Sequence, residues 1–316
     1  MTTSSGGSVA TDNPFRRPRP TPPGEAVPHW VDLPRSAHAL RQVTALVNQQ
    51  NGPRSRGRFV VVSGNDGTGK TTTIRQCVAQ LKRQFGDSLV IADLSDMDPR
   101  PTDDDHFGLE ERTRRIFDHL VDFLSYRIDL TEAELSPLRD PDRTPERGYA
   151  ELSRLLERRH RQADTEVFVV VLLPRTQDFP AEIPQYARFA WQPRLIFFSE
   201  TSHDPTRDTW ARELHDMWYA GHARLEPLDL DGYRAYVQAR MEPFHQDTDL
   251  PIIPDQTLRD IAHDKSMAVN ELRVNLQRIV KKRRGARPRH EVTMNDFMEQ
   301  YWLNSTGVLP DDESEP

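Results

Sequence analysis

The sequence predicts an α/β fold in which a parallel sheet is covered by helices and followed by a small all-helical domain. Short β-branched runs alternate with segments of helical periodicity in the first part of the chain, and this alternation is typical of parallel sheets. A glycine-rich loop stands between the first buried run and a helical segment. After about Gly221 the periodicity indicates helices alone.

Composition separates two terminal tails from two folded regions. The 316 residues include 25 prolines, and Pro, Ser, Thr and Gly dominate residues 1–28. That stretch cannot bury enough apolar surface to offset its ordering, so we expect it to be a disordered tail. We assign residues 29–220 to the sheet-containing core and residues 221–304 to the helical domain. Residues 305–316 are acidic, and we expect them to be disordered as well.

Charge, cysteine content and hydropathy narrow the class of protein. The net charge of -7 argues against nucleic-acid binding by overall electrostatics, so any such contact needs a local patch. The single cysteine, Cys77, excludes an internal disulfide and fits a reducing compartment. No apolar run approaches the ~20 residues that span a bilayer, and the N-terminus lacks a secretory signal. We therefore expect a cytoplasmic protein that makes no membrane contact.

The order of the predicted elements supports this fold class. A helix with apolar residues at helical spacing is expected to begin at Ser36. Buried strands are predicted at residues 58–63, 88–92, 167–173 and 195–198. Helices are predicted at residues 70–85, 109–127, 149–162, 231–241, 255–263, 269–283 and 295–302.

The glycine-rich loop matches the phosphate-binding pattern G-x-x-x-x-G-K-[ST] at every fixed position, between a strand and a helix as a P-loop requires. Its glycines let backbone N–H groups converge on phosphate oxygens, and the helix N-terminus adds partial positive charge. We expect Lys70 to reach the β- and γ-phosphates and the Thr71 hydroxyl to bind Mg²⁺. The fold class is thus that of a P-loop NTPase, with ATP and Mg²⁺ as ligands. The predicted binding residues are Gly64, Asn65, Asp66, Gly67, Thr68, Gly69, Lys70, Thr71 and Thr72.

The acidic residue that usually completes such a site is missing from its usual position. A P-loop ATPase carries a carboxylate at the end of a buried strand to hold magnesium, but residues 167–173 are followed by Pro174 and Arg175. Asp178 stands four residues after Pro174. Asp93, after the second strand, is the other candidate, and we predict it as a catalytic residue and a metal ligand together with Thr71. A strand-end turn explains Asp93 equally well.

With these features in place, residues 30–302 resemble the AAA+ ATPases, in particular the replication-initiator, transposition-regulator and signal-transducing branches. The P-loop is the highly specific part of this match, and the acidic strand is degenerate. The resemblance implies that residues 221–304 form a lid over the nucleotide. It also implies that the first helix, which carries Arg35 and Arg41, is the N-terminal linker to the nucleotide.

The same resemblance implies roles for polar residues in the second half of the chain. Ser199 or Thr201, at the polar end of the LIFFSET strand, would sense the γ-phosphate. Arg273, in the NELRVN segment, would be the sensor arginine of the lid. A neighbouring subunit would supply an arginine finger, for which Arg207 and Arg212 are the candidates.

A dense basic run lies at the end of the helix predicted at residues 269–283. Cations at a helix C-terminus interact favourably with the helix dipole. The alternative is contact with phosphate on DNA, RNA or an acidic partner, although no aromatic residues are interleaved for base stacking. The residues available for such contact are Lys281, Lys282, Arg283, Arg284, Arg287 and Arg289.

Three functions are consistent with the sequence. The first is an AAA+-like ATP-binding switch that regulates self-assembly or a protein partner and hydrolyses ATP weakly. The second is a nucleotide or nucleoside kinase, because the DGTGKTT loop is similar to that of thymidylate kinases and Arg112, Arg114 and Arg115 would form part of a phosphate clamp. The third is a non-hydrolysing adaptor whose nucleotide is structural.

Overall fold

A computed structural model describes most of the chain between residues 13 and 305. The described residues are 13–16, 21–27, 30–49, 52–97, 108–163, 166–176, 179–202, 212, 214, 216–264, 267–286 and 290–305. Asp178, Arg207, Arg287 and Arg289 lie outside them, as does most of the acidic C-terminal stretch.

Five parallel strands form one sheet in the described part of the chain. They are β1 (Arg58–Gly64), β2 (Leu89–Asp93), β3 (Phe168–Leu172), β4 (Leu195–Thr201) and β5 (Ala220–Leu225). The strand order is β2-β3-β4-β1-β5, and every neighbouring pair is parallel. The strand that precedes the glycine-rich loop, β1, therefore lies between β4 and β5. The predicted α/β fold is confirmed.

Ten α-helices are described, six before β5 and four after it. The first six are α1 (Pro34–Asn48), α2 (Lys70–Phe85), α3 (Leu109–Arg127), α4 (Glu132–Leu138), α5 (Pro145–Ala163) and α6 (Phe179–Phe189). The last four, α7 (Leu230–Met241), α8 (Asp255–Asp264), α9 (Val269–Arg283) and α10 (Met294–Ser305), form the helical domain. Its predicted start at Gly221 was wrong, because Gly221 lies within β5 and pairs with Val60 of β1. Among these helices, none has the length and apolar character to cross a membrane.

The sheet separates two hydrophobic cores, because successive side chains of a strand point to opposite faces. Val60 and Val62 of β1 pack on the face covered by α1 and α2. Phe59 and Val61 pack on the opposite face, which α3, α5 and α6 cover. Buried aromatic rings fill that second core, and the ring of Tyr149 lies 4.7 Å from Phe117, 4.9 Å from Phe189 and 5.3 Å from Phe197.

The helical domain has a core of its own, and the N-terminal region contributes to it. Phe15 is fully buried there, with its ring 6.3 Å from that of Tyr236. Asn13 Nδ2 donates a hydrogen bond to the Gln277 carbonyl oxygen at 2.8 Å. The predicted disorder of residues 1–28 is therefore wrong for residues 13–16. The average composition of the tail concealed the apolar residue Phe15 that anchors it.

Candidate nucleotide-binding site

The glycine-rich loop joins the end of β1 to the start of α2. Gly67 and Gly69 have φ of 77° and 91°, in the left-handed region that only glycine occupies without strain. A Cβ on Gly67 would also lie 3.1 Å from Cβ of Asn270. Since α2 begins at Lys70, the N–H groups of its first turn lie at the loop, and such groups bind anions.

Lys70 extends its ammonium group back along the loop. Its residue is 8% exposed, and Nζ lies 2.8 Å from the Gly64 oxygen, 3.1 Å from the Asn65 oxygen and 3.2 Å from Ser202 Oγ. Ser202 Oγ also donates to Asp66 Oδ1 at 2.7 Å. This hydrogen bond and the nearby Lys70 charge lower the pKa of the Asp66 carboxyl. Phosphate would give the ammonium a stronger partner than these neutral oxygens, because charge-assisted hydrogen bonds are the stronger kind.

Thr71 lies against a carboxylate that sequence reasoning missed. Its Oγ1 donates to Glu200 Oε2 at 2.6 Å, and the Glu200 side chain is only 16% exposed. Glu200 is on β4 and is aligned with Val62 of β1. The other carboxylate oxygen lies 3.6 Å from Arg175 Nε, just after β3. Alternation along β4 could have placed Glu200 on the face of Phe198, but its position beside Thr71 depends on the strand order.

The predicted γ-phosphate sensors lie on the other face of β4. Ser199 is aligned with Val61 of β1, whose side chain packs on the α3 and α6 side. Ser199 is 1% exposed, and its Oγ has no hydrogen-bond partner among the described residues. Thr201 is also buried and shares this face. The structure therefore brings Ser202, and not Ser199 or Thr201, to Lys70.

Asp93 lies at the end of β2, away from the glycine-rich loop. Strands β3 and β4 separate β2 from β1, which amounts to three strand spacings or about 14 Å. Its Oδ1 accepts hydrogen bonds from Ser95 N at 3.1 Å and Ser95 Oγ at 2.5 Å. These contacts form a strand-end turn, and the structure does not bring Asp93 together with Thr71.

The helical domain touches the loop through the start of α9. The backbone N–H of Asn270 donates to the Gly67 oxygen at 3.0 Å. Arg273 lies one turn later, and its Nη2 donates to Asn270 Oδ1 at 2.9 Å. Its Nη1 donates to Gln277 Oε1 at 2.8 Å and to the Phe15 oxygen at 3.3 Å. The predicted lid arginine is thus adjacent to the contact between the helical domain and the glycine-rich loop.

The start of α1 is fastened to the connection between β5 and α7. Arg35 Nη1 donates to the Pro227 oxygen at 2.5 Å and lies 3.0 Å from Glu226 Oε2. Arg41 is exposed farther along α1. Between this junction and the loop is a cleft of about 20 Å³. Its lining includes Leu33, Arg35, Thr68, Leu225, Leu228 and Val269.

The arginines considered for a kinase phosphate clamp are paired with acidic residues. Arg112 is buried and its Nε lies 3.1 Å from Glu182 Oε2. Arg114 and Arg115 both pair with Glu111 on the same helix. Arg112 therefore joins α3 to α6. Because all three arginines already have acidic partners, the hypothesis of a nucleotide or nucleoside kinase is not favoured.

The described part of the basic run is also ion-paired. Lys282, Arg283 and Arg284 form contacts of 2.6–2.7 Å with acidic residues of the helical domain. Lys281 is exposed. These pairs connect the end of α9 to its neighbours. The acidic partners are Glu299, Asp296 and Asp247.

No family model and no curated protein matches the chain. Among solved structures, Aeropyrum pernix ORC2 in ADPNP and ADP complexes is 13% identical with a TM-score of 0.52, and the match covers 92% of this chain and 72% of that one. A. pernix ORC1 in complex with DNA is 12% identical with a TM-score of 0.49, and the match covers 89% of this chain and 70% of that one. A chain of the E. coli MS115-1 HORMA:CdnC:Trip13 complex is 12% identical with a TM-score of 0.49, and the match covers 86% of this chain and 88% of that one. With the sheet order and the loop geometry, the likeness to ORC2 shows that the chain has the fold of the AAA+ P-loop ATPases, as its resemblance implied.

Proposed function

We propose that the protein is a nucleotide-dependent AAA+ switch, which binds ATP with Mg²⁺ at residues 64–72 and thereby sets the angle between its core and its helical lid. The hydrogen bond from Asn270 of the lid to Gly67 of the P-loop carries this proposal. Phosphates bound by the loop act on the same short segment that the lid contacts. A change at the loop therefore reaches the lid directly.

The cleft beside the loop provides a second argument. At about 20 Å³ it has room for about one water molecule, which is far too little for a nucleobase. A base that enters between Leu33, Leu228 and Val269 must move the linker or the lid. Nucleotide binding and lid rotation would then be one event, as in hinge closure around a ligand.

The individual roles follow from the contacts. Lys70 would bind the β- and γ-phosphates, with Ser202 in the sensing position that the resemblance gave to Ser199 or Thr201. Arg273 would approach the nucleotide when the lid rotates, since it lies one turn from the Asn270 contact. ORC2 was solved with ADPNP and ADP, which supports the choice of an adenine nucleotide. The regulated process would be self-assembly or capture of a protein partner, with Arg212 or Arg207 as the arginine finger.

Titration calorimetry with ATP and Mg²⁺ tests nucleotide binding. Lys70→Ala removes a charge-assisted contact worth about 1.5–3 kcal/mol, so we expect binding to weaken roughly ten- to a hundred-fold. Lys82→Ala is the matched control, because Lys82 lies near the opposite end of α2 and pairs with Asp87. Equal affinities of Lys70→Ala and the wild type would rule out the P-loop assignment.

Sizing and small-angle scattering with a slowly hydrolysed ATP analogue test the switch. We expect the analogue, but not buffer alone, to change the molecular dimensions or the oligomeric size. A nucleotide that binds without any change of either kind would identify a structural ligand in an adaptor protein.

A further inference from the structure

We propose that Glu200 of β4 supplies the carboxylate that holds Mg²⁺ beside Thr71. The inference rests on the proposed binding of ATP with Mg²⁺ and assigns to that site a residue that the sequence did not reveal. Its basis is the 2.6 Å hydrogen bond from Thr71 Oγ1 to Glu200 Oε2. The sequence offered Asp93 for this role, but Asp93 lies on β2, with β3 and β4 between it and β1.

Strand alternation explains why Glu200 reaches α2. Ile196 and Phe198 pack with Ile74 of α2 in the core on that face. Side chains two residues apart along a strand share a face, so Glu200 follows Phe198 on the α2 side. β4 and β1 are adjacent and parallel, and the end of β4 therefore lies beside the loop that follows β1.

The donor set fits magnesium. Mg²⁺ prefers oxygen ligands and usually takes one or two from the protein, with phosphate oxygens and water completing the octahedron. A threonine hydroxyl that donates its proton to a carboxylate keeps its oxygen lone pairs available for the metal. In the described parts of the chain, no cluster of three or more His, Cys, Asp or Glu could hold a metal ion. The metal would therefore depend on the bound phosphates.

Arg175 places a positive charge after β3, while the carboxylate is on the neighbouring strand β4. It follows β3, where a P-loop ATPase usually carries its acid, and its side chain is 86% exposed with Nε 3.6 Å from Glu200 Oε1. In this protein β4 presents the carboxylate and the loop after β3 presents a cation. An ion pair with one partner this exposed is screened by solvent and contributes little free energy, so Arg175 does not prevent Glu200 from turning to a metal.

The experiment measures how much Mg²⁺ tightens nucleotide binding. Affinity for a slowly hydrolysed ATP analogue is determined by calorimetry with Mg²⁺ and with EDTA, and Mn²⁺ bound to the complex is counted by paramagnetic resonance. Glu200→Gln should weaken metal binding about 10- to 100-fold and leave the affinity in EDTA nearly unchanged. Glu200→Asp keeps a carboxylate and should recover part of the metal effect. Glu157→Gln, an exposed glutamate on α5, is the matched control.

Each outcome separates this inference from the proposed function. Full metal dependence in Glu200→Gln would overturn the inference and leave nucleotide binding intact. Loss of the metal effect in Asp93→Asn, with Glu200→Gln unaffected, would return the role to Asp93. A wild-type protein that binds no nucleotide would overturn both.

Discussion

At the residue scale, the P-loop combines one buried cation with two carboxylates, one beside that cation and one beside the next residue. Lys70 Nζ lies 3.5 Å from Asp66, and the adjacent Thr71 contacts Glu200. A nucleotide with its metal carries charges of both signs, so the site offers a partner to each. The residues described directly after β3 are Leu173, Pro174, Arg175 and Thr176, and none of these four has a carboxylate that could orient a water molecule.

We therefore expect slow ATP hydrolysis by the isolated protein, well below the ordinary rate of ~10 per second. A P-loop enzyme needs a group that positions the attacking water, and Pro174 cannot act in that way. Phosphate release at saturating ATP measures the rate, with Lys70→Ala as the blank. A rate near ~10 per second without any partner would show that another residue supplies the missing group.

At the scale of elements, a buried ion pair joins α3 to α6 and to the end of β3. The side chains of Arg112 and Glu182 are 4% and 2% exposed. Arg112 Nη2 also donates to the Arg175 carbonyl oxygen at 2.6 Å. The backbone of Arg175 is thereby held by Arg112, and its side chain reaches Glu200, which connects the packing of two helices to the candidate metal site.

Removing one partner of this pair should be costly. Arg112→Ala leaves the Glu182 carboxylate buried without its cation, for which we expect a loss of about 3–5 kcal/mol in the free energy of unfolding. Arg114→Ala, on the same helix, breaks an exposed pair with Glu111 and should cost at most about 1 kcal/mol. Urea unfolding measures both variants. Similar small losses for the two would mean that the buried pair contributes little.

At the scale of the whole molecule, the N-terminal region packs against the helical domain. Phe15 is 0% exposed within the core of the helical domain, and its carbonyl oxygen accepts a hydrogen bond from Arg273. Arg240 Nη2 donates to the Arg16 oxygen at 2.7 Å. The core of the helical domain is thus completed by residues far from it in sequence, and Phe15 contacts the predicted sensor arginine.

Phe15→Ala should loosen this attachment. Truncating a fully buried phenylalanine costs about 3–5 kcal/mol, which is an upper limit here because the segment can detach instead. We expect a lower midpoint of thermal unfolding and faster proteolytic cleavage of the lid. Deletion of residues 1–12, which retains Phe15, is the control and should change neither. Unchanged cleavage in Phe15→Ala would show that the segment does not support the lid.

Local patterns in the sequence predicted the elements whose structure depends on residues close together in the chain. The P-loop and α9 (Val269–Arg283) follow from short-range spacing, and α9 has the predicted limits. β4 extends to Thr201 beyond its apolar part, because polar residues at its end still pair with β1. β5 was missed because glycine, histidine and arginine interrupt its apolar pattern. In α6, Pro184 concealed the helical periodicity.

The non-local part of the candidate site was beyond the reach of such patterns. Glu200 and Ser202 meet the P-loop only because β4 is the neighbour of β1, and strand order is not visible in local periodicity. The resemblance placed the sensor at the end of β4, at Ser199 or Thr201, on the face opposite to that of Glu200. The roles of Asp93, Ser199 and Arg273 stay predictions, and the structure gives Glu200 and Ser202 as better placed alternatives to the first two.

The docking of Asn13 on Gln277 spans 264 residues of sequence, which has a consequence for the order of folding. Contacts of such separation carry a large loop-closure entropy and form slowly. During refolding, α7 to α10 would assemble before residues 13–16 arrive, and would meanwhile expose the apolar cavity that Phe15 later fills. The lid would therefore mature in two kinetic steps, of which the second waits for the distant segment.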